Sequence, residues 1–302
     1  MEPVYHTPVL LDESVTALNI REGGTYVDAT FGGGGHSREI LRRLGPKGTL
    51  ISFDRDTDAL KNALDDKRAI LVHNNFRFVE NFVHYNGFKQ VDGILADLGV
   101  SSHQFDSGER GFSFRFDAPL DMRMNQLAKH NAADIINNYE MEELAKIFRI
   151  YGELDKPKKA AELICSARSK KPIETTGELS QAVAKMYNTN TEHKFLAKLY
   201  QALRIEVNME MQALEEFLKG ALSVLAPGGI LSVITYHSLE DRMVKNFMKT
   251  GNIAGEVNKD FYGKIESPFE IITRKPILPT EEEISRNTRS RSAKLRVAAK
   301  IG

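Results

Sequence analysis

Short β-branched runs alternate with segments of helical period over the first hundred or so residues, a pattern that predicts a parallel sheet with crossover helices. Thr25–Asp28 reads as the first strand, followed by a glycine loop and a helix over 36–44. A strand Thr49–Asp54, a helix 57–64, a strand 70–73, a helix 78–85 and a strand Val91–Asp97 continue the series. The rhythm then stops. Residues 131–203 read almost entirely as helix, with Leu144, Ile147, Phe148 and Ile164 at helical spacing. Beyond them the alternation returns. Asn208 is expected to cap an amphipathic helix that runs to Leu225 and ends at Pro227-Gly228-Gly229. The apolar run 230–235 suits a buried parallel strand, and a helix from near Leu239 and strands 269–273 and 294–301 complete the set. The expected fold is α/β: a Rossmann-like sheet domain of residues 1–104 and 206–302, interrupted by a mainly helical domain over 105–205.

Composition narrows the class. A chain of 302 residues has room for two domains, and 41% hydrophobic with 27% charged residues excludes a disordered chain. No apolar run approaches the ~20 residues of a spanning helix. The N-terminal segment carries Glu2, His6 and Asp12 rather than a basic and then apolar signal, so a cytoplasmic protein away from membranes is expected. The one cysteine, Cys165, cannot form an internal disulfide, and no Cys/His cluster has zinc spacing, so no metal is expected. Net charge is zero, from 41 basic and 41 acidic residues. The basic residues cluster locally over 156–171 and 286–300, as a phosphate-facing surface or a solvated face would have them.

The sharpest local signal is Val27-Asp28-Ala29-Thr30-Phe31-Gly32-Gly33-Gly34-Gly35-His36, four glycines between a strand and a helix. Side chains there would obstruct a tight turn and the close approach of a ligand to the backbone. A nicotinamide cofactor would want Gly-x-Gly-x-x-Gly, but the sixth position from Gly32 is Ser37. Asp28, Gly32 and Gly34 instead resemble the first motif of class I methyltransferases. Asp54, ending the second strand, can accept hydrogen bonds from both ribose hydroxyls of an adenosine, which either cofactor would offer. Asp97 ends the fourth strand, where ligands of open α/β sheets sit. It can accept a hydrogen bond from a target amine, or cap the following turn. His237 to Arg242 follows the fifth strand and would either line the same edge or cap the next helix.

Taken together, these residues resemble the RsmH or MraW family, the ribosomal RNA cytosine-N4 methyltransferases. The resemblance runs the whole length of the chain. It rests on His6-Thr7-Pro8-Val9-Leu10-Leu11, the Asp28–Ser37 loop, Asp54-Arg55-Asp56 and Asp97-Leu98-Gly99-Val100-Ser101-Ser102. It extends through Glu109-Arg110-Gly111-Phe112-Ser113-Phe114, Pro119-Leu120-Asp121-Met122-Arg123-Met124, Gln201-Ala202-Leu203-Arg204-Ile205, Val207-Asn208 and His237-Ser238-Leu239-Glu240-Asp241-Arg242. What it implies is a class I methyltransferase sheet with a helical insertion that recognises RNA. The implied cofactor is S-adenosylmethionine, held by Gly34, Gly35 and His36, with Asp54 on the ribose, Phe76 against the adenine, and Asp97 and Gln104 near the methionine end. Asp97 would orient the amine. The implied substrate is a cytidine in the decoding region of small-subunit ribosomal RNA, within the small ribosomal subunit. Oligomeric state stays open.

The chain departs from two patterns. Amine methyltransferases often carry Asp/Asn-Pro-Pro-aromatic, which here is Asp97-Leu98-Gly99-Val100, so the aromatic that stacks on the base would be Phe105, Phe112, Phe114 or Tyr236. Thr288 stands where the family usually has proline. Arg110, Arg115 and Arg123, set among phenylalanines, suit phosphates and unpaired bases, or else a core with snorkelling arginines. A nicotinamide-dependent oxidoreductase and a non-catalytic RNA-binding module are the rival readings. Ser37 and the Asp97-Leu98-Gly99 strand end count against the first, and the three acids Asp28, Asp54 and Asp97 against the second.

Overall fold

The computed structural model describes residues 8–100, 108–259, 261, 263 and 266–302. They form two compact units. One runs to Gly99 and resumes at Met211; the other spans Val100–Glu210.

The first unit is a seven-stranded sheet in the order β3-β2-β1-β4-β5-β7-β6. Its strands are β1 (Thr25–Asp28), β2 (Thr49–Asp54), β3 (Ala69–His73), β4 (Val91–Asp97), β5 (Leu225–Thr235), β6 (Phe269–Ile271) and β7 (Lys294–Lys300). The first five pair in parallel, and β7 lies antiparallel to both β5 and β6. Both faces of this sheet are covered, which explains why its strands read as nearly continuous apolar runs. Side chains alternate between the faces. Val27, Ile51, Phe53, Ile94, Leu231 and Val233 pack with Val79, Val83, Leu214, Phe217, Val244 and Phe247, from the helices α3 (Val79–Tyr85), α9 (Glu210–Val224) and α10 (Ser238–Thr250). Tyr26, Leu50, Leu95, Ile230 and Ile234 face the other way, onto Val15 of α1 (Leu11–Ala17) and Ile40 and Leu41 of α2 (Gly35–Arg43). A further short helix, α11 (Glu281–Arg286), precedes β7.

The second unit holds the helices α4 (Ala132–Asn138), α5 (Met141–Ile150), α6 (Pro157–Arg168), α7 (Thr176–Ala182) and α8 (Glu192–Asn208). Its core gathers Phe112, Leu120, Met122, Ile136, Leu144, Phe148, Ile164, Leu199 and Leu203. No helix among the described residues is long and apolar enough to cross a membrane.

Several expectations from the sequence need correction. The helix expected over 57–64 is only a 3₁₀ turn at Ala59–Asn62. Ala59 is its one buried residue, and so short a segment has too little packing to offset the cost of helix nucleation. Asn208 does not start a helix: it is the last residue of α8, and Met209 in the left-handed region (φ 50°) separates α8 from α9. Its side chain serves the core of the second unit. Nδ2 donates to the Met122 carbonyl (2.7 Å), and Oδ1 accepts from the Met124 amide (2.7 Å). The arginines expected to face RNA are partly spent on the fold. Arg123 pairs with Asp121 and donates to the Ala128 carbonyl, Arg110 donates to the carbonyls of Arg123 and Met124, and Arg296 pairs with Asp241.

Asn208→Ala should destabilise the helical unit by about 2–3 kcal/mol, because it strands a buried donor and acceptor. A urea unfolding curve followed by circular dichroism checks this, and a loss under about 0.5 kcal/mol would mean that the two backbone groups find other partners.

Candidate active site

In open α/β sheets, ligands sit at the carboxyl ends of the strands where the strand order reverses direction, which here falls between β1 and β4. Asp28, Asp54 and Asp97 end β1, β2 and β4. All three therefore reach the same edge.

Asp28 is fully buried. Its Oδ2 accepts from the Ser37 hydroxyl (2.6 Å) and its Oδ1 from the Thr30 amide (3.1 Å), and Ser37 lies 2.9 Å from the Ser52 hydroxyl. Burial pushes the Asp28 carboxyl up, and these donors work against that rise. Its place is beneath the glycine loop, where it ties the end of β1 to the start of α2.

The loop itself is left-handed at Gly32 and at Gly34, the residue that caps α2. A side chain on Gly34 would be strained by the backbone and would also stand 3.0 Å from the Phe31 ring. At Gly35 the limit is space, since an added Cβ would come within 2.1 Å of Pro8. A Cβ on Gly32 would meet nothing within 4 Å, and α2 begins, with its first amides, at this end of the sheet. The His36 ring is turned inward: it is buried, and its Nε2 lies 3.2 Å from the Val9 carbonyl oxygen. The ring also lies close enough to Asp97 to lower that carboxyl.

Asp54 accepts from the Gly32 amide with Oδ2 and from the Asp56 amide with Oδ1, each at 2.8 Å. Each oxygen keeps a second lone pair, enough for the two hydroxyls of a ribose. Burial raises this carboxyl, against the pull of the two amides. Phe76 follows β3, partly buried, with its ring edge-on to Phe217 at 5.2 Å between centroids. Gln104 and Phe105 lie outside the described residues.

Asp97 is held by both its main chain and its side chain. Its amide donates to the Thr30 hydroxyl (2.7 Å), and its Oδ1 accepts from the Tyr236 hydroxyl (2.7 Å). Burial pushes its carboxyl up to about 6, with His36 and the Tyr236 hydrogen bond opposing that rise and Asp28 and Glu240 adding to it. His237-Ser238-Leu239-Glu240 acts as a helix cap. His237 Nδ1 accepts from the Glu240 amide, and the buried Glu240 carboxylate accepts from the amides of Tyr236 (2.8 Å) and His237 (3.3 Å). Thr30 and Glu240 were not singled out in the sequence for these roles, although both lie in motifs beside a strand end.

The stacking candidates also sort themselves. Phe112 is buried in the helical core, Phe114 packs edge-on against His193 and Tyr200, and Tyr236 spends its hydroxyl on Asp97.

Residues 3–301 match the MraW methylase family. A protein of Bacteroides fragilis called ribosomal RNA small subunit methyltransferase H is 58% identical over 299 residues, covering 99% of this chain and 98% of its own. One of the same name from Flavobacterium johnsoniae is 56% identical over 297 residues, covering 98% of each chain. The sheet, with helices packed on both faces, is of the α/β class that the sequence led us to expect. With its glycine loop and three strand-end acids, the chain belongs to the MraW methylase family.

Proposed function

We propose that this protein methylates the N4 amine of a cytidine in small-subunit ribosomal RNA, by direct displacement, with the decoding region of the small ribosomal subunit as its target. The observation that carries the chemistry is a carboxylate, Asp97, held at the sheet edge by Thr30 and Tyr236 beside an open glycine loop. The choice of ribosomal RNA is supported by the names of the relatives.

The residues fit S-adenosylmethionine. A side chain at Gly32 would meet nothing within 4 Å, and past Gly34, whose own amide donates to the Phe31 carbonyl (2.7 Å), the start of α2 offers the amides of Gly35 and His36. Asp54 would take the ribose hydroxyls on its free lone pairs, and Phe76 would lie against the adenine. Gln104 and Asp97 would meet the methionine end. The cofactor supplies a methyl carbon on a sulfonium, which leaves with the C–S electron pair on sulfur as the N4–C bond forms.

The exocyclic amine of cytosine is a poor nucleophile, because its lone pair is delocalised into the ring. A fixed acceptor on one N–H turns the amine toward attack and takes the proton that the methylated nitrogen must shed. Asp97 suits this role. With its carboxyl near 6 it is largely ionised at neutral pH, yet basic enough to receive that proton. No covalent enzyme intermediate is involved. Cys165 sits in the helical unit, far in sequence from every strand end. The helical unit would supply RNA contacts with the lysines of α6 and the exposed Arg115.

Small subunits from cells lacking this enzyme, incubated with the protein and S-adenosylmethionine and digested to nucleosides, should yield N4-methylcytidine by mass spectrometry. Tight cofactor binding with no such nucleoside would sink the substrate assignment alone. Asp97→Asn should lower kcat by about 10²–10³-fold, a larger factor than any loss of cofactor affinity. Wild-type kcat should fall as pH drops through about 6, since protonation removes the acceptor, and this acid limb should be absent in Asp97→Asn. Asp54→Asn and Gly35→Ala should each weaken S-adenosylmethionine binding by about tenfold or more in calorimetry, and unchanged affinity in both would displace the cofactor from this loop.

A further inference from the structure

Tyr236 stands directly after β5, next to Asp97, and its ring passes over the backbone turn that follows Asp97. A Cβ added to Gly99 would meet that ring at 3.5 Å. Its hydroxyl donates to Asp97 Oδ1 at 2.7 Å, which ties the tip of the ring to the carboxylate. The backbone beneath it is fixed as well, because the buried Glu240 carboxylate holds the amides of Tyr236 and His237.

We infer that Tyr236 is a positioning residue for methyl transfer: its hydroxyl occupies Oδ1 of Asp97, sets the plane of the carboxylate and keeps it ionised, and so presents Oδ2 to the target amine. This inference rests on Asp97 being the amine acceptor. A hydrogen bond to the charged form of an acid favours that form, and here it opposes the rise that burial imposes. The phenol is a suitable donor because its own proton is firmly held: burial and the Asp97 charge push Tyr236 well above its ordinary value. Among the described residues, the groups that act on the pair include His36 from α2, Asp28 from β1, Glu240 from α10 and Glu283 from α11. His36 lowers the Asp97 carboxyl, whereas Asp28 and Glu240 raise it, so Tyr236 and His36 share the work of keeping it charged.

The test is the pH profile of methyl transfer to undermethylated small subunits, with S-adenosylmethionine saturating. In Tyr236→Phe the acid limb of kcat should move to higher pH, and kcat at neutral pH should fall about tenfold, with KM for the subunit and cofactor affinity within about twofold of wild type. Added to Asp97→Asn, the same substitution should cost little more, because the charge that the hydroxyl maintains is gone. Should Tyr236→Phe fold poorly, 3-fluorotyrosine placed at position 236 keeps the shape and strengthens the donor, and the acid limb should then move to lower pH. An acid limb that stays in place in either variant, or a loss that appears mainly in KM for RNA as a stacking aromatic would give, overturns the inference. If Asp97→Asn itself keeps full activity, it is the role of Asp97 that fails, a result distinct from either outcome at Tyr236.

Discussion

Asp28 has no surface in contact with solvent, and the candidate site is assembled above it. A carboxylate can be buried so completely only if donors surround it, and here the Thr30 amide and the Ser37 hydroxyl do so. Those two donors come from opposite ends of the glycine loop. Satisfying one buried acid therefore fixes both ends of the segment that must pass close to a ligand. Thr30, held in this way, in turn accepts the Asp97 amide, and the constraint passes from β1 to β4. Asp54 does the same from β2 through the Gly32 amide. The three acids differ in what they keep in reserve: Asp28 is wholly internal, whereas Asp54 and Asp97 are only partly buried and carry lone pairs beyond those their hydrogen bonds use.

Much of this was legible along the chain, for a physical reason. A parallel sheet covered on both faces needs apolar residues at every position of its strands, so β1, β2, β4 and the later part of β5 stand out against their polar connections. The glycine loop was equally plain, because left-handed backbone at Gly32 and Gly34 and the proximity of Pro8 to Gly35 leave few other residues able to serve. The segment 57–64 misled because helical period does not report whether anything packs against the helix. Asn208 misled because an asparagine before an amphipathic run looks like a cap. Its amide is instead used across the helical core, a contact with residues more than 80 positions away that no local pattern records.

The site was legible in its acids and less so in its supports. Asp54 and Asp97 announce themselves by ending strands. Whether an aromatic stacks, packs or donates depends on where its ring and hydroxyl lie in space, so Phe112, Phe114 and Tyr236 were indistinguishable until the fold separated them. Basic residues presented the same difficulty. Arg110, Arg123 and Arg296 are engaged with carbonyls and carboxylates of their own units, and a run of positive charge in sequence overstates the charge available to a phosphate backbone.

The position of β7 bears on how the protein is made. β5 is paired on one side with β4 and on the other with β7, and almost sixty residues, from Tyr236 to Ala293, intervene before β7 begins. During synthesis, the outer edge of β5 is a row of unpaired amides and carbonyls until residues 294–300 leave the ribosome, at ~5–20 residues per second an interval of seconds. A nascent chain at that stage carries an open edge on a strand whose residues 230–234 are largely apolar. The enzyme's final strand is thus also the cover that removes this sticky edge, and any pause in translation before it lengthens the time in which aggregation competes with folding.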